Sequence, residues 1–175
     1  VIDPTLLAGA QLLRRIERAP KTKKYVFVYL LEDNRELIQY AKAFARERDL
    51  KLVYISNVSK KAQRQLMGGI DAFGVSPEMF LGYIDGAEYV ITNSYHATIF
   101  SLLFHKRFVT FRTGKSFPRM VDLLSALELT DRIYREGFDL DRPIDYANVE
   151  RRLESMRADS MRYLDHALEE ITNEG

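Results

Sequence analysis

The chain has 175 residues, a formal net charge of +1 and no cysteine. A charge this close to zero gives no support for nucleic-acid binding, and the lack of cysteine excludes disulfides and thiolate metal sites. No apolar run reaches the roughly 18 residues that a membrane span needs, and no signal peptide is visible. Hydrophobic residues make up 46% of the chain, which is ordinary for a globular protein with a real core.

The first half of the sequence predicts a βαβ unit. The chain opens Val1-Ile2-Asp3-Pro4 without a methionine, so we expect a fragment of a larger protein rather than a processed chain. Asp3-Pro4 is a helix-start signal, and a helix is predicted over residues 6–18. The apolar run at 25–31 is typical of a strand covered on both faces, as in a parallel sheet. A helix over 35–48 and a second strand, Lys51–Ser56, complete the unit.

The second half repeats the alternation of strands and helices. Ser76-Pro77-Glu78 starts a helix that ends at Asp85, because it offers a hydroxyl cap, a proline at the first position and an acid in the first turn. The other predicted elements are an irregular or weakly helical segment at 57–69, a short strand or a loop within 71–74, strands at 89–92 and 108–111, and helices at 97–104, 118–127 and 146–171.

This order of elements predicts a Rossmann-like, three-layer α/β/α fold with a mostly parallel sheet of about four or five strands. We expect one such domain over residues 1–175, with a long C-terminal helix over 145–172. The basic stretch at 60–64 is interpreted as a solvated face; a role in binding an acidic glycan is the lesser alternative.

The joint between the strand at 89–92 and the helix that follows is the most informative part of the chain. A strand that ends where a helix begins places free backbone N–H groups and a positive helix end at the carboxyl edge of a sheet, where anions bind. A histidine at this joint can hold an anion or transfer a proton. The polar residues of the joint are Thr92, Asn93, Ser94, His96 and Thr98.

Each of these residues also has a structural interpretation. His96 could only hydrogen-bond the backbone of the turn, and Asn93 could serve the turn geometry alone. Ser94 is expected to cap the helix whatever the function, and its hydroxyl could in addition donate to a phosphate.

Three cationic residues compete for an anion near the next helix. Arg119 lies at a helix start, where the dipole disfavours a cation, so an anionic partner would explain it, and surface exposure is the alternative. Arg112 and Lys115 are the other candidates. Gly114-Lys115-Ser116 is similar to the end of a P-loop but lacks the upstream glycine. No metal site is predicted, because no acid shares ligand spacing with the three separated histidines.

Five segments of the chain are informative together: Asp3-Pro4-Thr5-Leu6-Leu7, the strand at 25–31, Ser76-Pro77-Glu78-Met79-Phe80-Leu81, residues 87–101, and Arg119 with Leu123-Leu124. They resemble the polysaccharide pyruvyl transferase family. One position departs from the family pattern, which usually has glycine where this chain has Ala97.

The resemblance implies the C-terminal half of an enzyme with two Rossmann-like domains (GT-B type), with the active site between the halves. Such enzymes transfer the pyruvyl group of phosphoenolpyruvate to two sugar hydroxyls as a cyclic ketal, in exopolysaccharide or cell-surface glycan biosynthesis. It implies His96 as the catalytic residue and no cofactor beyond the donor substrate. The substrate-binding residues that it implies are Asn93, Ser94, Arg119, Ser76, Glu78 and Thr98, with Arg112 and Lys115 as further candidates.

The implied partners are phosphoenolpyruvate, a sugar or lipid-linked glycan acceptor and the protein's own N-terminal domain. The implied location is the cytoplasm, with attachment to the inner face of the membrane left open. Two other functions remain open at this stage. The same fold could be the nucleotide-sugar domain of a glycosyltransferase, or a non-catalytic module whose last helix binds a partner.

Overall fold

The computed structural model describes residues 1–56, 68–112, 114 and 117–173. The strands are β1 (Tyr25–Leu30), β2 (Lys51–Ser56), β3 (Ile70–Asp71), β4 (Tyr89–Thr92) and β5 (Arg107–Thr110). The helices are α1 (Pro4–Ile16), α2 (Arg35–Glu47), α3 (Pro77–Asp85), α4 (Tyr95–Leu103), α5 (Phe117–Ala126) and α6 (Tyr146–Asn173), with a 3₁₀ turn over Thr130–Arg132.

All five strands are parallel and form one sheet in the order β3-β2-β1-β4-β5. Helix α2 packs on one face, and α1, α3, α4, α5 and α6 pack on the other. The predicted Rossmann-like α/β fold with three layers is therefore confirmed.

Strand β1 shows why its sequence is a continuous apolar run. Val26 and Val28 face α2, whereas Phe27 faces the helices on the opposite side, and all three are fully buried. Burial on both faces removes the alternation of apolar and polar residues that marks a strand with one wet face.

The strand order reverses direction at β1. From β1 the chain passes through α2 to β2 on one side, and β4 later pairs with the other edge of β1. In open α/β sheets this reversal leaves a crevice between the carboxyl ends of the two strands, and ligands bind there. The loops after β1 and β4 therefore frame the expected site.

Two helices differ from the prediction in ways that bear on the site. Helix α1 is interrupted at Gly9, whose φ of 71° and ψ of 170° lie outside the helical region; glycine tolerates that conformation because it has no Cβ. Helix α4 begins at Tyr95 rather than at residue 97, because the Ser94 hydroxyl accepts a hydrogen bond from the Ala97 N–H at 3.4 Å. His96 thus lies in the first helical turn.

The described helices include none that is long and apolar enough to cross a membrane. Residues 57–67 lie outside the described part of the chain. They include the whole of the basic stretch at 60–64 and most of the predicted irregular segment at 57–69.

Asp141 ties the amino edge of the sheet together. Its carboxylate accepts hydrogen bonds from Arg48, at the end of α2, and from the Tyr89 hydroxyl at 2.6 Å, and it lies 3.8 Å from Arg107. Two hydrogen bonds lower the pKa of Asp141 below its ordinary value; the one from Arg48 contributes most and the one from Tyr89 contributes less.

Asp141→Asn is expected to lower the free energy of unfolding at neutral pH by about 1 kcal/mol, a value reduced for solvent screening because the side chain is 40% exposed. A carboxyl with a lowered pKa stabilises the fold above its unfolded pKa, and this stability is lost as pH falls through the folded pKa. Denaturant unfolding at several pH values should therefore show the difference between wild type and variant shrinking below about pH 4. A constant difference down to pH 2 would contradict the assignment.

Candidate functional site

Asn93 joins the two loops that frame the crevice. Its Oδ1 accepts a hydrogen bond from the Leu31 N–H at 2.8 Å, and its Nδ2 donates to the Glu32 carbonyl at 2.8 Å. The residue is 1% exposed. The amide side chain thus stands in for a continued strand pairing between the ends of β1 and β4, and it fixes the position of the residues that follow.

Two buried hydroxyl groups, on Ser94 and Thr98, stabilise the first turn of α4. The Ser94 side chain caps the helix, and the Thr98 hydroxyl donates to the Ser94 carbonyl at 3.0 Å. Thr98 has no exposed surface. Substrate binding by Asn93, Ser94 and Thr98 stays a prediction; the geometry itself assigns all three to support of the turn.

His96 projects from this supported turn into solvent. Its imidazole is 57% exposed, and Nε2 lies 3.8 Å from the Asp3 carboxylate. The Tyr95 ring lies edge-on to the imidazole, with 5.6 Å between ring centroids. The imidazole is therefore accessible to a ligand rather than sealed in the core.

Arg119 approaches the same carboxylate from α5. Its Nη2 lies 3.3 Å from Asp3 Oδ2, and its guanidinium stands over the Tyr95 ring, 4.4 Å from the centroid. The guanidinium can rest there because an aromatic face attracts a cation. The anionic partner expected beside Arg119 is thus Asp3, which the sequence analysis placed only at a helix start.

We call Asp3, Tyr95, His96 and Arg119 the Asp3 cluster. Three helices begin at it: Asp3 caps α1, His96 lies in the first turn of α4, and Arg119 lies in the first turn of α5. Each helix start contributes partial positive charge, so the cluster is suited to an anion. It borders a cavity of about 390 Å³ that Asp3, Tyr95 and Arg119 help to line.

Glu32 connects the crevice to the loop after β5. Its carboxylate accepts a hydrogen bond from the Gly114 N–H at 2.9 Å. On the same loop, the Arg112 guanidinium lies 5.2 Å from the centre of the Phe117 ring. Arg112 therefore stays a candidate ligand at the edge of the crevice, and Lys115 lies outside the described residues.

Ser76 and Glu78 lie at the start of α3, whose Pro77 lines a cavity together with Tyr29 of β1. The Ser76 hydroxyl accepts from the Met79 N–H at 3.4 Å, so it caps the helix as predicted. The hydrogen bond between Glu78 and the Ser76 side chain lowers the pKa of Glu78, and a smaller contribution in the same direction comes from the Glu78 backbone. Among the described residues, no hydrogen bond or ion pair joins either residue to the Asp3 cluster. Their role in substrate binding stays a prediction.

Within residues 1–56, 68–112, 114 and 117–173, no group of three or more histidine, aspartate or glutamate side chains could hold a metal ion.

Asp3 and Glu32 are site residues that sequence reasoning missed. Asp3 lies 93 positions before His96 in the printed sequence, so no local pattern connects them. The one available signal was the Asp-Pro pair, which marks a helix start, and parallel topology brings several helix starts to one edge of a sheet.

Comparison with known proteins identifies the family of the chain. A search of the curated proteins finds no match to the chain. The family model described as polysaccharide pyruvyl transferase matches residues 1–115. The matched region contains the crevice, Asp3 and His96, whereas Arg119 lies beyond its end. Since the match covers well over half of the 175 residues, the chain belongs to the polysaccharide pyruvyl transferase family.

Proposed function

We propose that this chain forms the half of a pyruvyl transferase that binds phosphoenolpyruvate, with His96 as the proton donor. The observation that carries the proposal is the convergence of His96 and Arg119 on the Asp3 carboxylate, at the starts of the helices that follow β4 and β5. Phosphoenolpyruvate carries a carboxylate and a phosphate, and an anion of that kind needs cationic side chains and N–H donors.

The reaction requires one proton to be added to the donor and two to be removed from the acceptor. His96 protonates the methylene carbon of phosphoenolpyruvate, and the central carbon becomes electrophilic. One sugar hydroxyl attacks that carbon, the second hydroxyl then displaces the phosphate, and the carbon–oxygen bond to phosphate breaks. The products are the cyclic ketal and inorganic phosphate; one hydroxyl proton restores His96, and the other leaves on the released phosphate as hydrogen phosphate.

Arg119 is proposed to bind the phosphate or the carboxylate of the donor. Its guanidinium is 61% exposed and can offer two parallel N–H groups to an oxyanion. We further propose that a second Rossmann-like half completes the cleft in a GT-B arrangement and presents the sugar or lipid-linked glycan acceptor. The product would then serve exopolysaccharide or cell-surface glycan synthesis in the cytoplasm.

Ligand titration tests the choice of donor. Phosphoenolpyruvate and a nucleotide sugar are titrated separately into the chain by calorimetry, and ketal formation is followed in the full-length protein as pyruvate released by mild acid. We expect binding of phosphoenolpyruvate at least about tenfold tighter than that of the nucleotide sugar, because the site has small-anion donors at helix starts. Tighter binding of the nucleotide sugar, with no ketal formed, would favour a glycosyltransferase instead.

A further inference from the structure

Asp3 carries out two separate tasks with its two carboxylate oxygens. Oδ1 accepts the Thr5 N–H at 3.0 Å and caps α1. Oδ2 faces away from that cap, toward Arg119 at 3.3 Å and His96 at 3.8 Å. The cap requires only one acceptor oxygen, and a serine or an asparagine serves there as well as an aspartate. The charge of Asp3 and its second oxygen are therefore left for the Asp3 cluster.

The surroundings of Asp3 show what this charge does. Its side chain is 9% exposed, whereas those of His96 and Arg119 are 57% and 61% exposed. A largely buried carboxylate thus lies beneath two accessible groups that both favour anions. The Asp3 carboxylate restricts the positions of the His96 and Arg119 side chains. It also places a negative charge next to the expected binding position of the donor anion.

We propose that Asp3 is a positioning residue of the pyruvyl transfer reaction: it orients His96 and Arg119 for phosphoenolpyruvate and weakens the binding of the anion in doing so. The inference rests on the proposed function, which supplies the ligand. It predicts opposite changes in affinity and turnover, since the charge of Asp3 opposes the binding of an anion but holds the proton donor in its reactive position.

Asp3→Asn keeps the capping oxygen and removes the charge, so it should raise the affinity for phosphoenolpyruvate and lower turnover. We expect the dissociation constant for phosphoenolpyruvate to fall about fivefold, the factor for removing one like charge about 4 Å away in a solvated site. We expect kcat of the full-length enzyme to fall about tenfold, because the imidazole loses its partner. Calorimetry and steady-state kinetics measure the two values.

Asp145→Asn is the matched control. Asp145 caps α6 through the Asn148 N–H at 3.0 Å, so the same chemical change is made at a helix start away from the cluster. It should leave both constants unchanged. Asp3→Ser also keeps a capping oxygen and removes the carboxylate, so it should repeat the split if Asp3→Asn folds poorly.

Each outcome has one meaning. Tighter binding with slower turnover in both Asp3 variants supports the inference. Constants that match those of Asp145→Asn would show that Asp3 only caps α1, and weaker binding of phosphoenolpyruvate would show that its charge does not oppose the anion; either result would overturn the inference. A wild-type protein that neither binds phosphoenolpyruvate nor forms the ketal would instead defeat the proposed function, and the inference with it.

Discussion

Replacement of His96 by glutamine is expected to lower kcat of the proposed pyruvyl transfer by at least about 100-fold, the usual contribution of a positioned general acid. Glutamine keeps hydrogen-bonding capacity but cannot deliver a proton. The imidazole is 57% exposed, so the free energy of unfolding should change by less than about 0.5 kcal/mol. Steady-state kinetics and denaturant unfolding on the same preparation separate the two effects.

His105→Gln provides the control, because His105 follows the opposite end of α4. Its Nε2 lies 2.9 Å from Glu150, and its ring stacks on Tyr146 at 4.5 Å. The same substitution there should leave turnover unchanged and cost a small amount of stability. Turnover of His96→Gln equal to that of wild type would remove the imidazole from the mechanism and leave the helix starts as the whole of the site.

Local signals in the sequence predicted most of the elements. The bounds of β2, α3 and β4 agree with the prediction, and the other strands and helices of the described chain differ from theirs by a few residues. These elements are marked by features within a few positions: a doubly buried strand by its apolar run, and a helix start by Ser76-Pro77. The interruption at Gly9 was missed, because a glycine in a helical pattern has no local sign of its conformation.

The composition of the Asp3 cluster could not be predicted in the same way. Chemistry and the family resemblance pointed to His96 and Arg119. The carboxylate that both approach belongs to Asp3, which caps α1 near the start of the chain. Which helix starts converge depends on the strand order, and the sequence indicated parallel strands without fixing the order in which they pair. Long-range side-chain contacts of this kind depend on the strand order, so they can be identified only once the structure is known.

The amide of Asn93 is a further contact of this type, and its loss should have the largest effect on stability. Asn93→Ala is expected to lower the free energy of unfolding by about 3 kcal/mol: two hydrogen bonds, to Leu31 and Glu32, at about 1 kcal/mol each, plus the cavity left in a fully enclosed position. For a chain of this size the midpoint of thermal unfolding should fall by about 10 °C.

Two other substitutions show whether the hydrogen bonds are the cause. Asn34→Ala removes one capping bond, from the Leu37 N–H at 2.9 Å, and should cost only about 1 kcal/mol. Asn93→Asp preserves volume and the acceptor for Leu31 but turns a carboxylate toward the Glu32 carbonyl, so it should cost at least about 2 kcal/mol. If Asn93→Ala and Asn34→Ala were equally stable, Asn93 would not be joining the ends of β1 and β4. The position of His96 would then depend on the hydrogen bonds of the Ser94 and Thr98 hydroxyls, and the crevice would owe its shape to the backbone of α4.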